Sequence, residues 1–129
     1  MKKLDVYLFP MMPVPKPRMT QRDRWKKRPI VTRYHTFKDE INDYARSQKF
    51  NWVKGQWISL LFTLPMPKSW TKKKKELMNG ELHESKPDLD NLIKAVLDAL
   101  FDEDKEVARF YMCEKRWGTE PTITLEIYD

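Results

Sequence analysis

The sequence predicts a single α+β domain in which a small mixed β-sheet of about four strands packs with two main helices. Short β-prone runs and longer segments with helical spacing follow one another in the order strand, helix, strand, short helix, helix, strand, strand. A chain of 129 residues suits one domain with one core. We therefore interpret residues 1–129 as a single domain.

The first half of the chain predicts one helix between two strands. Residues 4–9 form a β-prone apolar run, and residues 57–64 alternate with the period of a strand. Between them, Thr36 and Asp39 resemble a helix-capping pair, and apolar residues then recur at helical spacing until about Gln48. The strand at 57–64 is expected in the centre of the sheet.

The second half predicts two helices followed by two strands. A short helix at 72–78 is capped by Ser69 or Thr71. A longer helix, at about 90–101, has an apolar stripe that must pack on the sheet: Leu89, Leu92, Ile93, Val96, Leu97 and Leu100. The last two strands are expected to pair as a C-terminal hairpin and cover residues 107–117 and 122–128.

The composition favours a nucleic-acid partner over a membrane. The formal net charge is +6, and no apolar run approaches the ~20 residues that a membrane span needs. The chain begins without the apolar stretch of a signal peptide, and its single cysteine, Cys113, allows no intrachain disulfide. We expect a cytoplasmic protein that binds no membrane.

Basic residues are concentrated in the predicted loop at 10–35, which we expect to be mobile. Eight Lys or Arg stand against one acid between residues 16 and 33, so a DNA-contacting loop is favoured over a merely solvated one. A second basic run lies on the short helix and either flanks DNA or forms a solvated helix face. The candidate DNA-binding residues are Lys16, Arg18, Arg22, Arg24, Lys26, Lys27, Arg28, Lys72, Lys73 and Lys74.

Two carboxylates and a lysine cluster where the longer helix begins. Asp88 and Asp90 share one side of an extended entry segment, and Lys94 lies one helical turn beyond Asp90. Such carboxylates suit Mg²⁺, which takes one or two of them and completes its shell with water and phosphate oxygens. A third ligand is expected from Asp102, Glu103 or Asp104. The alternative is that Asp88 and Asp90 only cap the helix.

At these residues the chain resembles the RusA-like Holliday-junction resolvases, whose motif is Asp-x-Asp-Asn-x-x-Lys before a helix, with a later aspartate. The likeness covers Lys86-Pro87-Asp88-Leu89-Asp90-Asn91-Leu92-Ile93-Lys94 and Leu97-Asp98-Ala99-Leu100. It implies a RusA-like fold with catalytic residues Asp88, Asp90, Lys94 and Asp104. It also implies one or two Mg²⁺ ions on the three aspartates, and no small-molecule cofactor.

The resemblance further implies a homodimer that makes paired symmetric nicks in a four-way DNA junction during recombination and repair. Compact relatives are often carried by phages, so a prophage origin is expected. Two alternatives remain open: a basic DNA-binding module without catalysis, and a metal-dependent nuclease for other branched DNA. A zinc site is not favoured, because His35 and His83 do not cluster with Cys113. For His83, a plain surface position is favoured over contact with DNA.

Overall fold

The computed structural model describes residues 1–18, 28–102 and 104–129, and the side chain of Asp104 also lies outside this description. The elements are β1 (Lys3–Phe9), α1 (Pro29–Ser47), β2 (Trp57–Pro65), α2 (Lys72–Met78), α3 (Leu89–Leu100), a 3₁₀ turn (Asp104–Glu106), β3 (Phe110–Gly118) and β4 (Thr122–Tyr128). The predicted α+β domain with a four-stranded mixed sheet is confirmed.

The sheet has the strand order β1-β4-β2-β3. β4 pairs antiparallel with both β1 and β2, whereas β2 pairs parallel with β3. The predicted hairpin of the last two strands is therefore wrong, because β2 lies between them. Residues 119–121 carry the chain past the end of β2, so that the fully buried Ile123, Leu125 and Ile127 reach the middle of the sheet.

Helix α1 begins seven residues before the predicted start at Thr36. Pro29 occupies its first turn, where a missing N–H is tolerated, and the buried Val31 and Tyr34 extend the apolar face. Thr36 lies inside the helix, and its hydroxyl donates to the Thr32 carbonyl instead of capping. The last part of the predicted loop at 10–35 is consequently helical, because its side chains have a core to pack against.

Helices α1 and α3 pack on each other and on one face of the sheet. Their most buried residues, among them Tyr34, Ile41 and Leu92, join the inward residues of the strands in one core. The opposite face, here called the outer face, carries the exposed Leu4, Val6 and Leu8 of β1. In the described ranges, the helices cover only one side of the sheet.

The segment between α2 and α3 runs along the free edge of β3. Trp117 exchanges backbone hydrogen bonds with Gly80 and Glu81 at 2.8 and 2.9 Å, and the His83 amide donates to the Lys115 carbonyl at 2.9 Å. This edge contact leads the chain to the start of α3. Within the described part of the chain, none of the helices has the length and apolarity required to cross a membrane.

Candidate active site

The start of α3 presents the candidate catalytic residues to solvent. Leu92 and Val96 are no more than 1% exposed and fix the core side of the helix. Asp90 and Lys94 consequently lie on the opposite side, with the Lys94 ammonium 3.9 Å from an Asp90 carboxylate oxygen. The predicted one-turn pairing of these two residues is observed. Both side chains are more than half exposed, so DNA has access to them.

Asp88 precedes the helix in an extended conformation, with φ −68° and ψ 139°. It occupies the N-cap position, yet within the described residues its side chain makes no capping hydrogen bond. The capping alternative is therefore not supported for Asp88. Asp90 lies in the first turn, where a negative charge suits the helix dipole. Its position is compatible with both the capping-type and the catalytic interpretation.

The third predicted acid cannot be placed beside the first two. Asp104 begins the 3₁₀ turn, but its side chain and all of Glu103 lie outside the described residues. Asp102 is exposed. In the described ranges no set of three His, Cys, Asp or Glu is arranged to hold a metal. Two exposed carboxylates nevertheless fit Mg²⁺, whose site needs only one or two of them beside water and phosphate oxygens.

Lys115 holds the backbone that leads into α3, a role that the sequence analysis missed. Its ammonium donates to the carbonyl of Ser85 and, at 2.5 Å, to the carbonyl of Pro87. Because Asp88 follows Pro87 directly, this contact limits where its carboxylate lies. A signal was available: alternation along the last part of β3 places Lys115 between the inward residues Cys113 and Trp117, and a lysine facing inward needs a partner.

Asp98, on the third turn of α3, is a second residue that the sequence analysis missed. Its carboxylate lies 2.8 Å from the Lys16 ammonium and accepts a 2.5 Å hydrogen bond from the Tyr34 hydroxyl. Partial burial opposes ionisation of Asp98, but the bonds from Lys16 and Tyr34 and the nearby charge of Lys38 outweigh it, so its pKa lies below the usual value. Burial and the same carboxylate raise the pKa of Tyr34.

The segment at 16–18 lies against the polar face of α3. The Lys16 amide donates to the Asn91 carbonyl at 3.0 Å, Pro17 is buried, and Arg18 is exposed. The Arg28 guanidinium donates to the Arg18 carbonyl at 2.9 Å. A pocket of about 380 Å³ opens between this segment and the helix, and its lining residues are Lys16, Pro17, Arg18, Asn91 and Lys94.

The remaining predicted DNA-binding residues fall into two groups. Lys72, Lys73 and Lys74 are exposed on α2, with the Lys74 ammonium 4.4 Å from the centre of the Trp70 ring. Outside the described residues lie Arg22, Arg24, Lys26 and Lys27.

The expectation that His83 lies at the surface is wrong. Its side chain is 5% exposed and stacks on Trp117 with 3.8 Å between the ring centres. Its Nδ1 atom has no hydrogen-bond partner among the described residues. Burial, followed by the charge of Lys115, lowers the pKa of His83.

Comparison with known proteins identifies the family of the chain. A family model described as Endodeoxyribonuclease RusA matches residues 10–128, which include the acidic start of α3 and the segment at 16–18. A search of curated proteins finds no significant match. The family match implies an endonuclease that resolves Holliday junctions. Because the match spans nearly the whole chain, the resemblance to this family is confirmed, and the protein belongs to the RusA endodeoxyribonuclease family.

Proposed function

We propose that this protein is a Mg²⁺-dependent endodeoxyribonuclease that resolves four-way DNA junctions by paired, symmetric phosphodiester hydrolysis in recombination and repair. The observation that carries the proposal is the exposed pair Asp88 and Asp90 at the start of α3, with Lys94 3.9 Å from Asp90. Asp88 stands at the cap position without making the cap bond, which leaves its carboxylate available for a ligand.

The chemistry divides between the acids and the lysine. Asp88, Asp90 and Asp104 would hold Mg²⁺, which when bound would supply Lewis-acid activation of the scissile phosphate and of an attacking water. Lys94, whose ammonium lies 3.9 Å from Asp90, would offset the negative charge that develops on the phosphoryl oxygens in the transition state. Lys115 keeps the backbone before Asp88 in place through the Pro87 carbonyl. Position matters here, because misplacing a reacting group by about 1 Å can lower a rate ~100-fold.

DNA is proposed to bind along the basic residues of the N-terminal segment and of α2. Arg18 is exposed beside α3, and α2 presents its lysines to solvent. Such residues attract phosphates without reading base sequence, so the preference for a junction must come from the geometry of the whole complex. The proposed contacts are Lys16, Arg18, Arg22, Arg24, Lys26, Lys27, Arg28, Lys72, Lys73 and Lys74.

Paired nicking is proposed to come from a homodimer in which each copy cuts one strand. The outer face of the sheet suits such a contact, because its exposed apolar residues Leu4, Val6 and Leu8 lie beside an ion pair of Lys3 and Glu126. An isologous dimer brings the same patch together twice, so a patch with both charges can complement itself.

The test is the cleavage of a labelled four-way junction, a flap, a nicked duplex and a linear duplex of the same sequence, each with Mg²⁺ and with EDTA. The proposal predicts symmetric nicks in the junction alone and only with Mg²⁺. Equal cleavage of flaps or nicked duplex would favour a nuclease for other branched DNA. Junction binding without cleavage under any condition would favour the non-catalytic binding module.

A further inference from the structure

We propose that Asp98 is a positioning residue for DNA binding: it holds the segment at 16–18 against α3 and thereby forms a pocket for one backbone phosphate beside Asp90 and Lys94. The inference rests on the proposed function, since it names a part of the same DNA interface. It assigns a role to an acid that the catalytic chemistry does not use.

Asp98 joins three parts of the fold. Asp98 projects from α3, and its carboxylate lies 2.8 Å from the ammonium of Lys16 in the N-terminal segment. The same carboxylate accepts a 2.5 Å hydrogen bond from the hydroxyl of Tyr34 in α1. The Asp98 side chain is 27% exposed, which makes both contacts stronger than they would be on an open surface. Asp98 is therefore committed to these two partners.

Its position on the helix separates Asp98 from the proposed metal site. Asp98 follows Asp90 by eight residues, which corresponds to about 12 Å along a helix that rises about 1.5 Å per residue. Ligands of one Mg²⁺ lie about 2 Å from the ion, so Asp90 and Asp98 cannot share one. Lys94 lies between them on the same face.

The contact with Lys16 orders a short stretch of backbone. The Lys16 amide donates to the Asn91 carbonyl at 3.0 Å, and the buried Pro17 follows. The Arg28 guanidinium secures the next residue through the Arg18 carbonyl. A segment that is ordered before DNA arrives avoids the entropy cost of ordering during binding. Loss of the Asp98 charge should break the ion pair with Lys16 and loosen this stretch of backbone.

The ordered segment forms one wall of the pocket of about 380 Å³, and Asn91 and Lys94 form the other. The exposed Arg18 and Lys94 place a guanidinium and an ammonium at the same opening. This volume lies in the range of small-ligand sites, about 300–1,000 Å³, and so has room for a phosphate with water. The chemistry points to the DNA phosphate next to the scissile one, because Lys94 lines the pocket and also belongs to the proposed catalytic site.

The decisive comparison is between three acid-to-amide variants: Asp98→Asn, Asp90→Asn and Asp43→Asn. Removing an acid near DNA normally leaves binding unchanged or tightens it, because repulsion of phosphates falls. We expect this for Asp90→Asn, and no change for Asp43→Asn on the far end of α1. Asp98→Asn should instead weaken junction binding about three- to tenfold in EDTA, because it releases the segment at 16–18.

Hydrogen exchange of the DNA-free protein tests whether Asp98 keeps the segment at 16–18 in place. This test does not depend on which DNA the protein cleaves. Asp98→Asn should speed exchange at the Lys16 amide and leave the amides of β4 unchanged. At saturating junction and Mg²⁺, its cleavage rate should stay within about twofold of wild type, since binding rather than chemistry is affected. Unchanged exchange at Lys16, or unchanged or tighter junction binding, would overturn the proposal.

The phosphate pocket is tested with Arg18→Ala and the equally charged control Arg46→Ala. Arg18→Ala should weaken binding and lower the slope of log affinity against log salt by about one, while Arg46→Ala should change neither. Equal slopes would overturn the pocket. A wild type that binds no junction would refute the proposed function and with it the pocket, while faster exchange at Lys16 in Asp98→Asn would still establish that Asp98 holds the segment at 16–18.

Discussion

The aspartates on or beside α3 differ in their surroundings, and we propose that they differ in role accordingly. Asp88 and Asp90 are exposed at the start of α3, where a ligand can reach them. Asp98, two turns further, is partly buried and engaged by Lys16 and Tyr34. The first two can be found from the sequence because their spacing matches a motif. The role of Asp98 has no such signal, because its partners lie 64 and 82 residues away along the chain, where no local pattern connects them.

Lys115 provides a prediction for a single side chain that acts through the backbone. Lys115→Met should lower the free energy of unfolding by about 1–3 kcal/mol, because two carbonyls lose a charged donor. It should also lower junction cleavage at saturating DNA at least tenfold while binding persists, since Asp88 is no longer held. Urea unfolding and single-turnover cleavage measure the two effects. Lys68→Met, at an exposed lysine, is the control; equal cleavage by both variants would contradict the role of Lys115.

His83 predicts how stability depends on pH. Its folded pKa lies below that of a free histidine, about 6.5, so the unfolded state binds more protons in the interval between the two values. Stability contributed by His83 is present above pH ~6.5 and is lost as the pH falls below it. His83→Phe should therefore flatten the decline of unfolding free energy from pH 7 to pH 5. Urea titrations at both values test this, with the exposed His35→Gln as control, and an unchanged decline would refute it.

At the scale of helices and strands, the elements that carry a strong local sequence pattern could be predicted. The apolar stripe and the entry at Pro87 defined α3 within one residue at either end, and Thr71 caps α2 as expected. Strand pairing was not predictable in the same way. The alternation of apolar and polar residues along β4 would suit a position beside β3 as well as the observed position between β1 and β2. Only the packing of the whole core decides which strands it pairs with.

The parallel contact between β2 and β3 has one position where backbone and side chain approach closely. A Cβ at Gly118 would lie 2.3 Å from the Cγ2 of Thr63, whose branched side chain has little freedom to move. Gly118→Ala should therefore lower the free energy of unfolding by about 1–3 kcal/mol. Adding Thr63→Ser removes the obstructing methyl and should restore most of the loss. Chemical denaturation of the single and double variants tests this, and no rescue by the second change would contradict it.

At the scale of the whole molecule, the helices cover one face of the sheet in the described ranges and leave the other exposed. One face packs on α1 and α3, and the outer face exposes Val6 at 52%. If the outer face joins two copies, Val6→Lys should shift the protein to monomers in sedimentation at micromolar concentration, since it places two like charges across the axis. Val53→Lys, at a site 55% exposed outside the strands, is the matched control. Unchanged sedimentation of Val6→Lys would exclude this face.

We propose that the acids at the start of α3 are required for DNA cleavage. Asp90 and Asp43 are exposed to nearly the same extent, at 70% and 69% of the side chain, so Asp90→Asn and Asp43→Asn make a matched pair. The measurement is cleavage of a four-way junction in Mg²⁺ together with its binding in EDTA. We predict that Asp90→Asn binds at least as tightly as wild type but loses cleavage more than 100-fold, an effect in the range of removing a key catalytic interaction, while Asp43→Asn cleaves normally. Normal cleavage by Asp90→Asn would contradict the account.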